Sequence, residues 1–242
     1  MQFDINGWCA WAPGLVTQEQ WRGWYENPVV PEPDAGQPDV SFLPAMQRRR
    51  LSPLARMAFH VAWPLAETQG QQPVVFCSRH GETPRNLALL TQLGLSEALS
   101  PTHFSLSVHN AIIGLWSMFR SDTSEMTALA ATSEGLELAV MEAVLMLQAG
   151  AASVLVIVAD ENQPDVYSPW IDDIPFAHAI ALQLVPGTGW TLEHCATDIK
   201  KVVRETSETG CLVPPALRVL PLLLGDESSH CSGNWQWRCA EQ

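Results

Sequence analysis

At 242 residues the chain is long enough for one large domain or two small ones, since folds of this size bury roughly three quarters of the unfolded surface. With 47% hydrophobic and 16% charged residues, and no apolar run near the roughly 18 to 20 residues of a membrane-spanning helix, it reads as soluble. A formal net charge of −13 argues against a nucleic-acid partner, because neutralising phosphates takes a basic face.

Met1 to Trp11 shows no basic segment followed by an apolar core and a small-residue cleavage site, so the expected location is the cytoplasm. Residues 3 to 16 begin like a strand and end in a turn at Pro13-Gly14. Five prolines, at 28, 31, 33, 38 and 44, lie among acidic and small residues and mark 26 to 44 as a loop. Arg48, Arg49, Arg50 and Arg56 cluster next. A solvated helix face is the simpler reading of them, and a contact for an acidic partner the functional one. From Ser52 a helix is predicted, with Pro53 in its first turn and Leu54, Met57, Ala58, Val61 and Leu65 at helical spacing; Pro64 is expected to kink or end it.

Pro73 to Cys77 predicts a short buried strand, Leu87 to Leu95 a helix closed by Gly94, His109 to Phe119 an apolar helix, and Met126 to Ala131 a strand. Leu136, Ala139, Val140, Ala143, Val144 and Leu147 line one face of the strongest helix, with Gly150 placed as its C-terminal cap. Ser153 to Ala159 is β-branched and apolar on both faces, the pattern of a central strand covered on both sides. Strand, helix, strand in that order makes a right-handed crossover with parallel pairing the default. Farther on, Phe176 to Val185 reads as a strand, Ile199 to Thr206 and Pro215 to Leu224 as short helices, and Trp235 to Ala240 as a final strand.

The cysteines, at 9, 77, 195, 211, 231 and 239, lack the short paired spacings of a zinc ribbon or a disulfide framework and read as free thiols, with no metal site. Arg79-His80-Gly81-Glu82-Thr83 with Asn86 resembles the signature of the histidine phosphatases, which implies His80 as phosphoryl acceptor. That chemistry also needs a second His and a further Arg on the phosphate. The strand best placed to supply them is followed by Asp160-Glu161-Asn162, which would repel it. Ala131-Thr132-Ser133-Glu134-Gly135, between a strand and a helix, has the order of a nucleophile elbow, which would make Ser133 the centre of an acyl hydrolase or transferase. The competing and preferred reading is that Ser133 caps the helix. A hydrolase also needs an acid and a His farther on, and only His178, His194 and His230 follow.

Ser100-Pro101-Thr102-His103-Phe104-Ser105-Leu106-Ser107-Val108-His109-Asn110-Ala111, with Gly114-Leu115-Trp116-Ser117 after it, resembles the β-ketoacyl synthases. In that family a Ser-Pro-x-x-Phe segment and a Ser-x-x-Asn-x-x-x-Gly helix precede the strand that carries the nucleophile. Placing Glu142-Ala143 on the family's equivalent pair keeps Leu147, Ala149-Gly150 and Ser153 to Glu161 in register. Ser78 to Glu82 fits the shortened subgroup found beside aryl polyene biosynthesis, which also accounts for the phosphatase-like motif. The resemblance covers about residues 3 to 185 and implies a thiolase-like α/β fold: a mixed sheet with packed helices, halved, in a single domain over 1 to 242, with 186 to 242 as a divergent C-terminal cover.

The family's chemistry requires a Cys at the head of the long buried helix and two His residues from the C-terminal half. Here the nucleophile position is Ser133, neighbouring registers offer Thr132 or Glu134, and no His-Gly-Thr or Asn-x-x-Gly-Phe-Gly segment follows residue 185. The resemblance therefore implies a catalytically silent, chain-length-factor-type subunit without a cofactor. Its partner would be an active synthase, in a heterodimer or a heterotetramer, with acyl carrier protein reaching the complex mainly through that synthase. Met126, Thr127, Ala128, Leu129 and Ala130 would form the pairing edge, and Phe104, Leu106, Val108 and His109 would line or close the partner's acyl tunnel, with ordinary core packing as their alternative.

Overall fold

The computed structural model describes residues 1–171, 174–195 and 212–240. The predicted helix at 199 to 206 and the thiol at position 211 lie outside the described residues.

The chain opens with strand β1 (Gln2–Trp11), then helices α1 (Gln18–Glu26), α2 (Ala45–Arg48) and α3 (Pro53–Glu67). Strand β2 (Val74–Cys77) leads through α4 (Thr83–Gly94), α5 (Pro101–Ser105) and α6 (Ala111–Arg120) to β3 (Met126–Leu129). Helix α7 (Gly135–Gln148), strand β4 (Val154–Asp160), the long β5 (His178–His194), a short α8 (Leu220–Leu223) and the hairpin β6 (Ser229–Ser232) and β7 (Trp235–Cys239) complete it.

All strands join one sheet in the order β3-β2-β4-β5-β7-β6, with β1 on β5. β2 pairs in parallel with both β3 and β4, so the crossover from β3 through α7 returns on the far side of β2. β4 and β5 are antiparallel. Every β4 residue is buried, because β4 alternates its side chains between two cores. Val154, Val156 and Val158 meet α7 and the C-terminal segment, and Leu155, Ile157 and Ala159 meet α3 and α6.

Predicted boundaries hold best where periodicity is strong. Gly150, at φ +111°, ends α7 in a Schellman arrangement, the Ala151 N–H donating to the Met146 carbonyl at 3.1 Å. Pro64 does not end α3, which runs on to Glu67. The carbonyl it strips of a donor belongs to His60, a half-buried residue. α4 ends at Gly94 as expected, but the left-handed turn that follows is taken by Ser96 at φ +57° and not by the glycine. Pro215 to Leu224 forms a 3-10 turn and α8 in place of one helix. The sequence reading passes over α1 and β6.

Around α7 the C-terminal segment joins the core. Leu217, Leu220, Trp235 and Trp237 share one cluster with Leu136, Val140 and Val144. Trp237 meets Phe3 edge-on at 6.3 Å and donates from its indole to Glu137 Oε1 at 3.3 Å. Among the described residues no helix is long and apolar enough to cross a membrane.

Candidate functional site at the head of the buried helix

The ends of β2 and β4, the start of β5 and the β3–α7 turn converge on the N-terminus of α7. There Cys77, Arg79, Ser133, Asp160, His178 and Arg218 border a cavity of about 180 Å³. Ser133 is exposed and does not cap α7 as expected: Glu134 is the N-cap residue, and no side chain caps the first turn. Ser133 stands one position too early in the chain for its hydroxyl to reach the free amides of that turn.

Among the described residues the thiol bordering this cavity belongs to Cys77. A Cβ added at Gly135 would lie 3.1 Å from its Sγ, so glycine at the helix head is what lets the two elements meet. Burial, reinforced by the carboxyl of Asp160, pushes the Cys77 thiol up to about 12. At neutral pH it is held as the thiol and not the more nucleophilic thiolate.

Asp160 and His178 are direct partners across the β4–β5 ladder. Asp160 Oδ1 accepts from Ser78 Oγ at 3.0 Å and from the Arg79 N–H at 2.8 Å. His178 Nδ1 lies 3.0 Å from the Phe176 carbonyl. Burial raises the Asp160 carboxyl and lowers the His178 imidazole. Among the described residues no hydrogen bond links Ser133 to His178, so the hydroxyl, imidazole and carboxyl do not form a nucleophilic relay. Asp160 anchors the Ser78–Gly81 loop instead, and the same carboxyl stands beneath the phosphatase-like motif, where a phosphate needs cations. Gly81, at φ +54°, lets the loop press on His109, whose Cδ2 would be 2.9 Å from a Cβ there.

The other predicted residues divide between two places. His109 is half-buried, its Nε2 donating to the Ser78 carbonyl at 3.0 Å, with its ring 5.7 Å from Phe76. Leu106 packs partly against the α3 core. Phe104 and Val108, by contrast, are 65% and 50% exposed, so core packing does not account for them. Met126, Thr127, Ala128 and Leu129 form β3 at the edge of the sheet; Ala130 lies just beyond the strand and is exposed.

A second polar cluster escaped the sequence reading. Ser52 Oγ accepts from the Ala55 amide as the cap of α3 and donates to Glu82 Oε1 at 2.5 Å. The Arg85 guanidinium lies 3.0 Å from Glu82 Oε2. Burial raises the Glu82 carboxyl despite both. Nearby, burial first and then the Glu82 charge push Glu161 up to about 8, with Arg85 opposing and Asp160 adding to the rise.

A stability profile follows. Glu161 holds its proton in the folded chain up to about 8 and releases it near 4.5 when unfolded, so its contribution to stability is present below 4.5 and is lost as pH rises toward 8. The loss is at most about 1.4 kcal/mol per pH unit. His178, lowered from 6.5 by burial, acts in the opposite sense only below that pH. The thermal midpoint should therefore fall between pH 6.5 and 8, and Glu161→Gln should flatten the fall; a wild-type midpoint independent of pH in this window would refute the assignment.

A family model described as the β-ketoacyl synthase N-terminal domain matches residues 21–238. A search of curated protein sequences returns no match. Among solved structures, a chain from the complex of the ketosynthase ApeO with its chain length factor ApeC from Xenorhabdus doucetiae superposes with a TM-score of 0.79 at 27% identity, covering 98% of this chain and 98% of that one. The ishigamide ketosynthase/chain length factor gives a TM-score of 0.63 at 14% identity, over 83% of this chain and 69% of that one. A β-ketoacyl synthase from Burkholderia phymatum gives 0.62 at 11%, over 86% and 67%. At these lower identities the likeness speaks for the fold, a thiolase-like mixed sheet with packed helices at reduced size. With the family model spanning most of its length, the chain belongs to the β-ketoacyl synthase family.

Proposed function

We propose that the chain is a non-catalytic, chain-length-factor-like subunit that pairs with an active β-ketoacyl synthase, stabilises it and shapes its acyl tunnel in aryl polyene biosynthesis. The observation that carries this reading is the head of α7. In the register expected from the sequence Ser133 takes the position of the family's thiolate, and it is exposed; among the described residues the thiol bordering the same cavity, Cys77, is buried and held at about 12. Carbon–carbon bond formation then falls to a partner that has its own nucleophile.

Three features support the pairing. The Xenorhabdus chain that matches from end to end comes from a complex of a ketosynthase with its chain length factor. β3 is an edge strand with a free side, the kind of element that natural sheets cover or pair. Beside it, Leu138, Met141 and Leu145 make an incompletely buried apolar stripe on α7, with Leu145 52% exposed, and Thr127 Oγ1 bonds Glu142 of that same face at 3.4 Å. Strand edge and stripe together offer an apolar interface core of the kind stable pairs use.

Phe104 and Val108, outward-facing, fit the closure of a neighbour's tunnel, where bulk sets how many units enter; extra atoms in a packed channel cost about 1 to 3 kcal/mol. Acyl carrier protein would reach the complex mainly through the synthase. Co-expression with neighbouring synthases followed by size-exclusion chromatography tests the pairing, and elution of the chain without any of them would count against it. In the reconstituted complex, Phe104→Ala should lengthen the product by at least one unit, and an unchanged length distribution would remove Phe104 from the tunnel.

A further inference from the structure

A separate cavity of about 370 Å³ opens between the 30–38 loop, the start of α3 and the segment joining β4 to β5. That volume suits a one- or two-ring molecule. Six proline rings, which have no side-chain entropy to lose, supply apolar walls together with Trp11, Met57 and Phe176. The charged side chains lining it are Glu32 and Glu161; no lysine, arginine or histidine borders it. Glu161 is 8% exposed, and among the described residues its carboxyl accepts no hydrogen bond, although a buried polar group ordinarily has a partner.

We propose that this cavity is a binding site for a compact organic cation, an amine on an apolar ring body, whose charge is met by Glu161 and whose body lies against Trp11 and Phe176. An anionic ligand is disfavoured because both charged side chains of the lining are carboxyls and no basic side chain lines the cavity. A neutral ligand leaves Glu161 protonated and the charges of Glu82 and Asp160, offset in part by Arg85, without a counter-charge. A cation gains from those charges beside a nearly buried carboxyl, and aromatic walls add a cation–π contribution. Glu161, protonated near neutrality when the site is empty, gives up its proton to solvent as the cation enters.

Calorimetric titration of the purified chain at pH 7 with phenethylamine, 2-phenylethanol and 3-phenylpropanoate tests this, the three probes sharing a ring and differing in charge. The amine should bind at least about tenfold tighter than the alcohol, the carboxylate more weakly still, and Glu161→Gln should remove the amine's advantage. Independently of any variant, repeating the amine titration in buffers of different ionisation enthalpy should show release of close to one proton. Equal binding of amine and alcohol, absence of amine binding, or binding without proton release would overturn the proposal.

Discussion

Ala128→Pro should weaken the complex with the synthase by about a hundredfold while leaving the chain folded. In β3 the Glu125 carbonyl accepts from the Val74 N–H at 3.0 Å and the Leu129 carbonyl from the Ser78 N–H at 3.2 Å. Alternate residues of a strand point their backbone groups to opposite neighbours, so 125, 127 and 129 serve β2, and Met126 and Ala128 turn theirs to the free side. Proline at 128 deletes an outward donor and adds a ring there, without touching the β2 ladder. Leaving a buried partner group unmet costs about 1 to 3 kcal/mol. With the ring's clash, a loss near 3 kcal/mol, or about a hundredfold in affinity, is expected. Thr127→Pro is the contrast, since it breaks the pairing with β2 and should unfold that edge. Sedimentation or size-exclusion titration reads the affinity and circular dichroism the fold; an Ala128→Pro chain that pairs as tightly as wild type would mean that β3 is not the contact.

Trp237→Ala should cost about 3 to 5 kcal/mol, a large share of the stability of a domain this size. The side chain is fully buried, packs edge-on against Phe3 and donates to Glu137. Glu137 is itself buried in the first turn of α7, its carboxyl raised by burial, and its Oε2 has no hydrogen-bond partner. Removing the indole both opens a cavity and takes one donor from that carboxyl, which Ser232 also meets. Trp237→Phe keeps most of the volume and should cost about 1 to 2 kcal/mol. Urea unfolding reads both, and a loss below about 1 kcal/mol for the alanine variant would show that the hairpin contributes little to covering α7.

The sequence spoke most clearly where one local signal sufficed. β4 is apolar on both faces, and α7 combines a strong period with a terminal glycine; both appear as predicted. α1 was overlooked although Thr17 and Gln20 form a capping box and Trp21 and Trp24 are buried on one face, because polar residues and Gly23 dilute the apolar pattern. β6, Ser-His-Cys-Ser, has no strand signature of its own and exists through pairing with β7. That Thr132, Ser133 and Glu134, and no Cys, precede the helix is read residue by residue. The convergence of Cys77, Asp160 and His178 is not, because β2, β4 and β5 meet only in the folded sheet; Ser78 and Asp160, which hydrogen bond, stand 82 residues apart. The Glu82 and Glu161 cluster was hidden for the same reason, and nothing in local spacing distinguishes a buried glutamate from a solvated one.

The most direct test incubates the purified chain, alone and together with its synthase, with acyl and malonyl groups on carrier protein, and follows the chain's intact mass and the products. The account predicts no acyl adduct on the isolated chain and no elongation until the synthase is added, with Ser133→Ala leaving the complex's rate unchanged. An acyl adduct on the chain by itself, followed by malonyl condensation, would contradict it.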